Sequence, residues 1–198
     1  MSLNLAGKKF LVTGAGRGIG RAIAKTLHEQ GSLVYALNRS KQPLDSLVEQ
    51  YPGIKPIQAD MTSWDEIRDK LKDLEPLDGI VNNAGKVDYV KQSALEYPRE
   101  SIAEYIDLHI YGMINTMQIV GSKMVKAGKP GSIVNLSSVL GHRALPGVLT
   151  GDMITKLFAA ELGTHSIRVN SVNPTWVRTE WVQGRLDEGL TVDKKYPH

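Results

Sequence analysis

Cysteine is absent from this chain of 198 residues, which excludes disulfides, thiolate catalysis and cysteine-ligated zinc. Long apolar runs are missing too. No stretch approaches the ~18 residues that span a bilayer, and the opening MSLNLAGKKF has no apolar segment of the signal-peptide kind. A cytosolic protein with no membrane partner is expected. Nor is charge of one sign concentrated: 24 Lys and Arg stand against 21 Asp and Glu, scattered along the chain, for a net charge of +3. A basic stripe is what nucleic acid requires, so nucleic acid is not expected as a partner. There is no internal repeat, no low-complexity stretch and no linker. With 41% hydrophobic and 23% charged residues, residues 1–198 read as one domain around one core. No metal is expected.

What is present is an alternation of short β-rich runs with helical patterns, the mark of parallel βαβ units. Strands are predicted at Lys9 to Thr13, Leu33 to Leu37, Lys55 to Gln58, Gly79 to Asn82, Ser132 to Ser137 and Ile167 to Val172. Between them, Ser63 and Glu66 have capping-box spacing before Trp64, Ile67, Leu71 and Leu74 on one face. Ser101 and Glu104 have the same spacing before Ile102, Ile106, His109, Met113 and Val120. Six strands with intervening helices predict an α/β fold, a single doubly wound parallel sheet of the Rossmann type with helices on both faces. Past Thr175 the pattern fades into a polar tail.

The segment Phe10-Leu-Val-Thr-Gly14-Ala-Gly-Arg17-Gly18-Ile19-Gly20 runs from strand through turn to helix. A phosphate-binding turn needs glycine at the tight bend, where backbone approaches the pyrophosphate, and where helix packs on strand. Gly14, Gly18 and Gly20 have that spacing, with Ile19 between the last two, and a helix N-terminus follows to receive an anion. The second strand ends Ala36-Leu37-Asn38-Arg39-Ser40. An acidic residue here would accept the 2′-hydroxyl of NAD; Arg39 stands instead, and Arg17 lies within the glycine loop. Two guanidinium groups suit a 2′-phosphate, so NADP(H) is the expected cofactor; the alternative is two solvated arginines.

Thr13-Gly-Ala-Gly-Arg-Gly-Ile-Gly20 resembles the fingerprint of the short-chain dehydrogenase/reductase family. Asn82-Asn83-Ala84-Gly85, Ile133-Val-Asn-Leu-Ser137-Ser138 and Arg168-Val-Asn-Ser-Val-Asn-Pro174-Thr175 resemble its later motifs, in the right order. The stretches LDSLVEQYPGI and IRVNSVNPTWV are most similar to the branch of L-xylulose (dicarbonyl) and carbonyl reductases, which uses NADPH. The resemblance implies hydride transfer between a nicotinamide and a small carbonyl compound. It also implies that Asp60 meets the adenine, that Asn83 and Gly85 line the ribose and nicotinamide, that the Val177 backbone reaches the carboxamide, and that Thr179 touches the phosphates.

The family's catalytic set is a serine, a tyrosine with a lysine one helical turn later, and an asparagine. Ser138 fits the serine. At the tyrosine position stands Gly151, and none of the seven tyrosines lies between the serine strand and the tail. The run Asp152 to Gly163 resembles the later part of the family's catalytic helix, so the turns bearing tyrosine and lysine are missing before Asp152 and Lys156 reads as a surface lysine. His109 occupies the asparagine position, read as a core histidine with a satisfied hydrogen bond; a new acid role is the alternative. The family's closing strand and the helix before it have no counterpart, so the domain is expected to be incomplete: a truncated isoform, a partial gene model or a decayed paralogue. A homo-oligomer weakened by the shortened helix is expected. The alternative to a reductase is an NADP(H)-binding isoform or paralogue that does not turn over and acts in regulation or interaction.

Overall fold

The computed structural model describes residues 4–86, 98–139 and 152–187. Six strands, β1 (Lys9–Thr13), β2 (Leu33–Asn38), β3 (Lys55–Gln58), β4 (Gly79–Asn82), β5 (Gly131–Leu136) and β6 (Ile167–Val172), form one parallel sheet. Their order is β3-β2-β1-β4-β5-β6. The expected doubly wound architecture is therefore present, and the order reverses between β1 and β4. In open α/β sheets the ligand crevice lies at such a reversal, beyond the carboxyl ends of the strands.

Helices α1 (Gly18–Glu29) and α2 (Lys41–Gln50) cover one face of the sheet. Helices α3 (Trp64–Leu71), α4 (Arg99–Ile106), α5 (Gly112–Lys126) and α6 (Asp152–Gly163) follow in the chain, and α7 (Glu180–Asp187) comes after β6. Burial of both sheet faces explains the near-continuous apolar runs of the strands. Leu11 and Val12 are both fully buried, yet they enter different cores. Leu11 joins Ile67, Leu71, Met117, Val120, Met124 and Ile133 beneath α3 and α5; Val12 joins Ala24, Val34, Ala36, Leu44 and Leu47 beneath α1 and α2. Each buried leucine or valine side chain contributes roughly 1.5–3 kcal/mol.

Several boundaries differ from expectation. β2 runs on to Asn38, and β5 begins and ends one residue earlier than predicted. Ser63 has N-cap geometry, but its side chain makes no capping hydrogen bond; Glu66 instead accepts from the Asp60 backbone N–H at 3.2 Å. Ile67 and Leu71 are buried as expected, whereas Trp64 is 39% exposed with the Arg68 guanidinium 4.7 Å above its ring. Ser101 does not cap a helix: α4 begins at Arg99 after Pro98, and Glu104 pairs with Lys86 at 2.6 Å. Asp107–Tyr111 is a π-helical segment, which shifts the angular phase between α4 and α5. The face predicted for one straight helix is broken there. Among Ile102, Ile106, His109, Met113 and Val120 only Val120 is fully buried, while α5 turns Asn115, Thr116, Met117, Gly121 and Met124 inward. The expected polar tail contains α7, its first turn capped by Thr179, whose Oγ1 accepts from Val182 N–H at 3.3 Å.

Two polar assemblies brace the sheet. A buried ladder crosses the sheet: Thr116 Oγ1 donates to Asn82 Oδ1 (2.7 Å), Asn82 Nδ2 to Asn135 Oδ1 (2.8 Å), and Asn135 Nδ2 to Thr155 Oγ1 (3.0 Å). At the opposite, amino-terminal edge, Asp78 accepts from the Lys9 backbone N–H at 2.9 Å and pairs with Lys129 at 3.0 Å and Lys8 at 3.3 Å. Burial pushes the Asp78 carboxyl up, but these donors outweigh it and hold the group below the usual carboxylate value. Among the described residues no helix is long and apolar enough to cross a membrane, and no group of three or more His, Asp or Glu could hold a metal.

Candidate functional site

The glycine turn leaves β1 at the point where the strand order reverses. Gly14 has φ +65° and Gly18 φ +54°, left-handed conformations that disfavour side chains. Gly20 serves contact rather than conformation: a Cβ there would overlap the Gly14 carbonyl oxygen and Asn83 Nδ2. These are the jobs foreseen for the tight bend and for helix-on-strand packing. Arg17, the N-cap of α1, makes no side-chain capping bond, and the first turn of α1 has no acidic residue. The helix thus presents its uncapped N–H groups and positive dipole end to the crevice, a donor set that fits a pyrophosphate.

The turn is braced from β4. Thr13 Oγ1, fully buried, accepts from the backbone N–H groups of both Asn83 and Ala84 at 3.0 Å. Asn83 Nδ2 in turn donates to the carbonyls of Thr13 (2.9 Å) and Gly14 (3.2 Å). The Asn83 side chain therefore points back into the glycine turn as a strut. Gly85 packs against the His109 ring, whose Cε1 would lie 2.7 Å from a Cβ at that position.

Arg39 and Asp60, expected at the 2′-phosphate and the adenine, lie past the ends of β2 and β3 and face one another. Arg39 Nη1 is 3.7 Å from Asp60 Oδ2, and Arg39 is 73% exposed. Asp60 Oδ1 also accepts from the N–H and hydroxyl of Thr62, both at 2.9 Å. The β2–α2 turn that carries Arg39 is tied down by Gln58 Nε2 donating to the Arg39 carbonyl (3.3 Å) and Asn38 Nδ2 donating to the Ser40 carbonyl (3.0 Å). Arg17, also exposed, sits on the neighbouring loop.

Sequence reasoning missed two residues here. Thr13 is one; it was read only as part of the fingerprint. The other is Arg21, whose Nη1 donates to the carbonyls of Gly16 (3.2 Å) and Pro43 (3.1 Å) and whose Nη2 reaches Ser46 Oγ (3.2 Å) and Gln50 Oε1 (3.1 Å). In the sequence Arg21 reads as an ordinary helix-start arginine, and only the fold brings α2 within its reach.

Thr179 stands over the start of α1, its methyl 3.5 Å from where a Cβ on Gly18 would be. It lines a cavity of about 310 Å³ together with Gly18, Ile19, Arg21, Val177 and Arg178. Ser138 follows β5, two strands from the glycine turn, and is half-buried. The loops after β5 and β6 are joined there, Ser137 N–H donating to Val172 O at 2.9 Å and Val139 N–H to Pro174 O at 3.1 Å. His109 is half-buried rather than in the core. Its Nε2 lies 3.1 Å from the Lys86 carbonyl and 3.3 Å from the Lys86 N–H, and its ring stacks on Tyr105 with centroids 4.0 Å apart. Lys156 is exposed on α6. Gly151 and the segment before Asp152 lie outside the described residues.

With a glycine turn, a braced Asn-Asn-Ala-Gly segment and a serine strand gathered along one sheet edge, the comparisons agree with the geometry: the family model for short chain dehydrogenase matches residues 8–188. The chain belongs to that family. It is 41% identical over 192 residues to L-xylulose reductase of Homo sapiens, covering 92% of this chain and 77% of the relative. D-erythrulose reductase of Gallus gallus is 40% identical, with 93% and 76% covered. Among solved structures, a 3-oxoacyl-[acyl-carrier protein] reductase from Brucella melitensis superposes with a TM-score of 0.83 at 32% identity, over 91% of this chain and 74% of that one.

Proposed function

We propose that this short-chain dehydrogenase binds NADP(H) in preference to NAD(H), as a single nucleotide-binding domain whose substrate class is small carbonyl compounds such as L-xylulose and dicarbonyls. The observation that carries the cofactor reading is the pair Arg17 and Arg39, exposed on adjoining loops, with Arg39 after β2 where NAD sites place a carboxylate. The nicotinamide, when bound, supplies or accepts the hydride. The chain's own part is to seat the pyrophosphate on Gly14, Gly18, Ile19 and Gly20, and to hold the 2′-phosphate with Arg17 and Arg39. Asp60 meets the adenine side, and Asn83 and Gly85 shape the wall of the crevice. The Val177 backbone and Thr179 close over the carboxamide and phosphates. Ser138 donates to the carbonyl oxygen. The substrate class is supported by the names of the relatives, L-xylulose reductase and D-erythrulose reductase.

A second reading, NADP(H) binding without turnover in a regulatory or interaction role, is favoured by one specific observation. No tyrosine stands between Ser138 and the tail, and His109 replaces the asparagine. A positioned general acid is worth ~10²–10⁴-fold in rate. Fluorescence titration with NADPH and NADH tests the shared part. NADPH binds more tightly, and Arg39→Asp removes the preference at a cost of about 1.5–3 kcal/mol, that of a charge-assisted contact. Equal affinities in the unmodified chain refute it. Steady NADPH oxidation with xylulose or diacetyl then separates the readings: turnover at ordinary enzyme rates upholds the reductase, and none above background upholds the second.

A further inference from the structure

Arg21 is the only residue among those described whose side chain hydrogen-bonds both the glycine loop and α2. One nitrogen, Nη1, donates to Gly16 O and to Pro43 O, so these two carbonyls are held at a separation set by a single donor. Gly16 directly precedes Arg17, and Pro43 lies in the first turn of α2, four residues after Arg39. The fit is close on the same side: a Cβ on Gly16 would lie 2.8 Å from the side chains of Asn38 and Pro43. The fork geometry of the guanidinium allows this, since its N–H groups diverge in one plane and reach four acceptors on two elements at once.

We infer that Arg21 is a positioning residue for cofactor discrimination. It clamps the glycine loop to the β2–α2 turn so that Arg17 and Arg39 converge on one 2′-phosphate. The inference rests on the NADP(H) reading above. Arg21 lines the cavity beside Gly18 and Ile19, but its side-chain hydrogen bonds go to Gly16 and α2, and the distinctive consequence follows from that. The pyrophosphate seat is braced through Thr13, Asn83 and Gly20, none of which bonds Arg21. Loss of the clamp leaves those braces in place and frees Gly16, next to Arg17, from the β2–α2 turn, so it bears mainly on the geometry that reads the 2′ group. A ligand that needs two cations preplaced loses affinity when the loops carrying them must be ordered on binding.

The test is titration of the full chain with NADPH and with NADH, following quenching of protein fluorescence, in the unmodified protein and in Arg21→Met and Arg21→Lys. In Arg21→Met the NADPH dissociation constant rises about 5- to 20-fold while that for NADH changes less than about 2-fold, so the preference collapses. Arg21→Lys keeps the charge but not the fork, and its preference falls between the other two. Should Arg21→Met not fold, Ser46→Ala combined with Gln50→Ala removes the two side-chain acceptors that orient the guanidinium along α2, leaving only its bond to the Pro43 carbonyl there, and the loosened clamp must narrow the NADPH-to-NADH ratio as well. Equal weakening of both cofactors, an unchanged ratio, or full preference in Arg21→Lys overturns the clamp while leaving the NADP(H) reading intact. No preference in the unmodified chain overturns both.

Discussion

Asn135→Ala is the change that most directly probes how the crevice is joined to α6. Asn135 is 2% exposed, and its amide bridges Asn82 on β4 to Thr155 on α6. Truncation leaves Asn82 Nδ2 without its acceptor and Thr155 Oγ1 without its donor, in a region where Asn82 and Thr155 are themselves only 6% and 7% exposed. An orphaned buried polar group costs roughly 1–3 kcal/mol, and the lost packing adds to this. A total of about 2–4 kcal/mol is expected, a drop of about 5–15 °C in melting temperature for a domain of this size. Thr155→Val removes one end of the ladder only and costs about 1 kcal/mol. The double variant loses less than the sum, by on the order of 1 kcal/mol, because the two share a bond. Urea denaturation followed by circular dichroism measures all three. If Asn135→Ala costs under about 0.5 kcal/mol, the range of ordinary surface changes, the ladder is not a structural link and the reasoning fails.

The two glycines of α1's first turn separate conformation from contact. Gly18→Ala places a side chain at φ +54° with Thr179 at ordinary contact distance, so it costs about 1 kcal/mol and weakens NADPH binding only slightly. Gly20→Ala drives a methyl into the Gly14 carbonyl, costs about 1–3 kcal/mol despite alanine's helical preference, and abolishes NADPH binding in the same titration; normal binding refutes the contact role. At the far edge, the Asp78 carboxyl is held below its unfolded value. It therefore contributes stability above the unfolded value of about 3.9, and this is lost as pH falls through the lower folded value. Asp78→Asn should lower stability near neutrality and flatten the acid limb of a stability-against-pH curve below about pH 4; an unchanged limb contradicts the assignment.

The sheet was legible from the chain because its central strands β1, β2 and β4 are short apolar runs largely buried on both faces, while the edge strand β6 alternates buried and exposed residues. The glycine turn was legible because φ and close approach restrict residue type more strictly than any other feature here. What escaped was set by tertiary partners. Ser63 sits at an N-cap, yet Glu66 turns to the Asp60 backbone, which no spacing rule anticipates. The face drawn through His109 assumed a constant helical period, and the π segment at Asp107–Tyr111 breaks it. α7 was overlooked because its stabilising signal, Thr179 before Glu180, lies in a run with little apolar periodicity. Asn83 was singled out for a place beside the cofactor; the part its amide plays in bracing the glycine turn was not legible from spacing.

The two halves of a dehydrogenase site are encoded in different currencies, and this chain separates them. The cofactor seat consists largely of backbone: glycine conformations, the uncapped start of α1, and main-chain groups held by Thr13 and Asn83. Those elements belong to β1, β4 and α1, whose contacts with one another do not pass through α6. Proton transfer, by contrast, depends on individual side chains, so on the second reading proposed above an absent acid leaves the seat undisturbed. The buried ladder through Asn135 and Thr155 docks α6 against the sheet. A chain of this design can keep nucleotide recognition without acid–base chemistry, and on the NADP(H) reading proposed above a 2′-phosphate preference, resting on the loops after β1 and β2, is the property least dependent on α6.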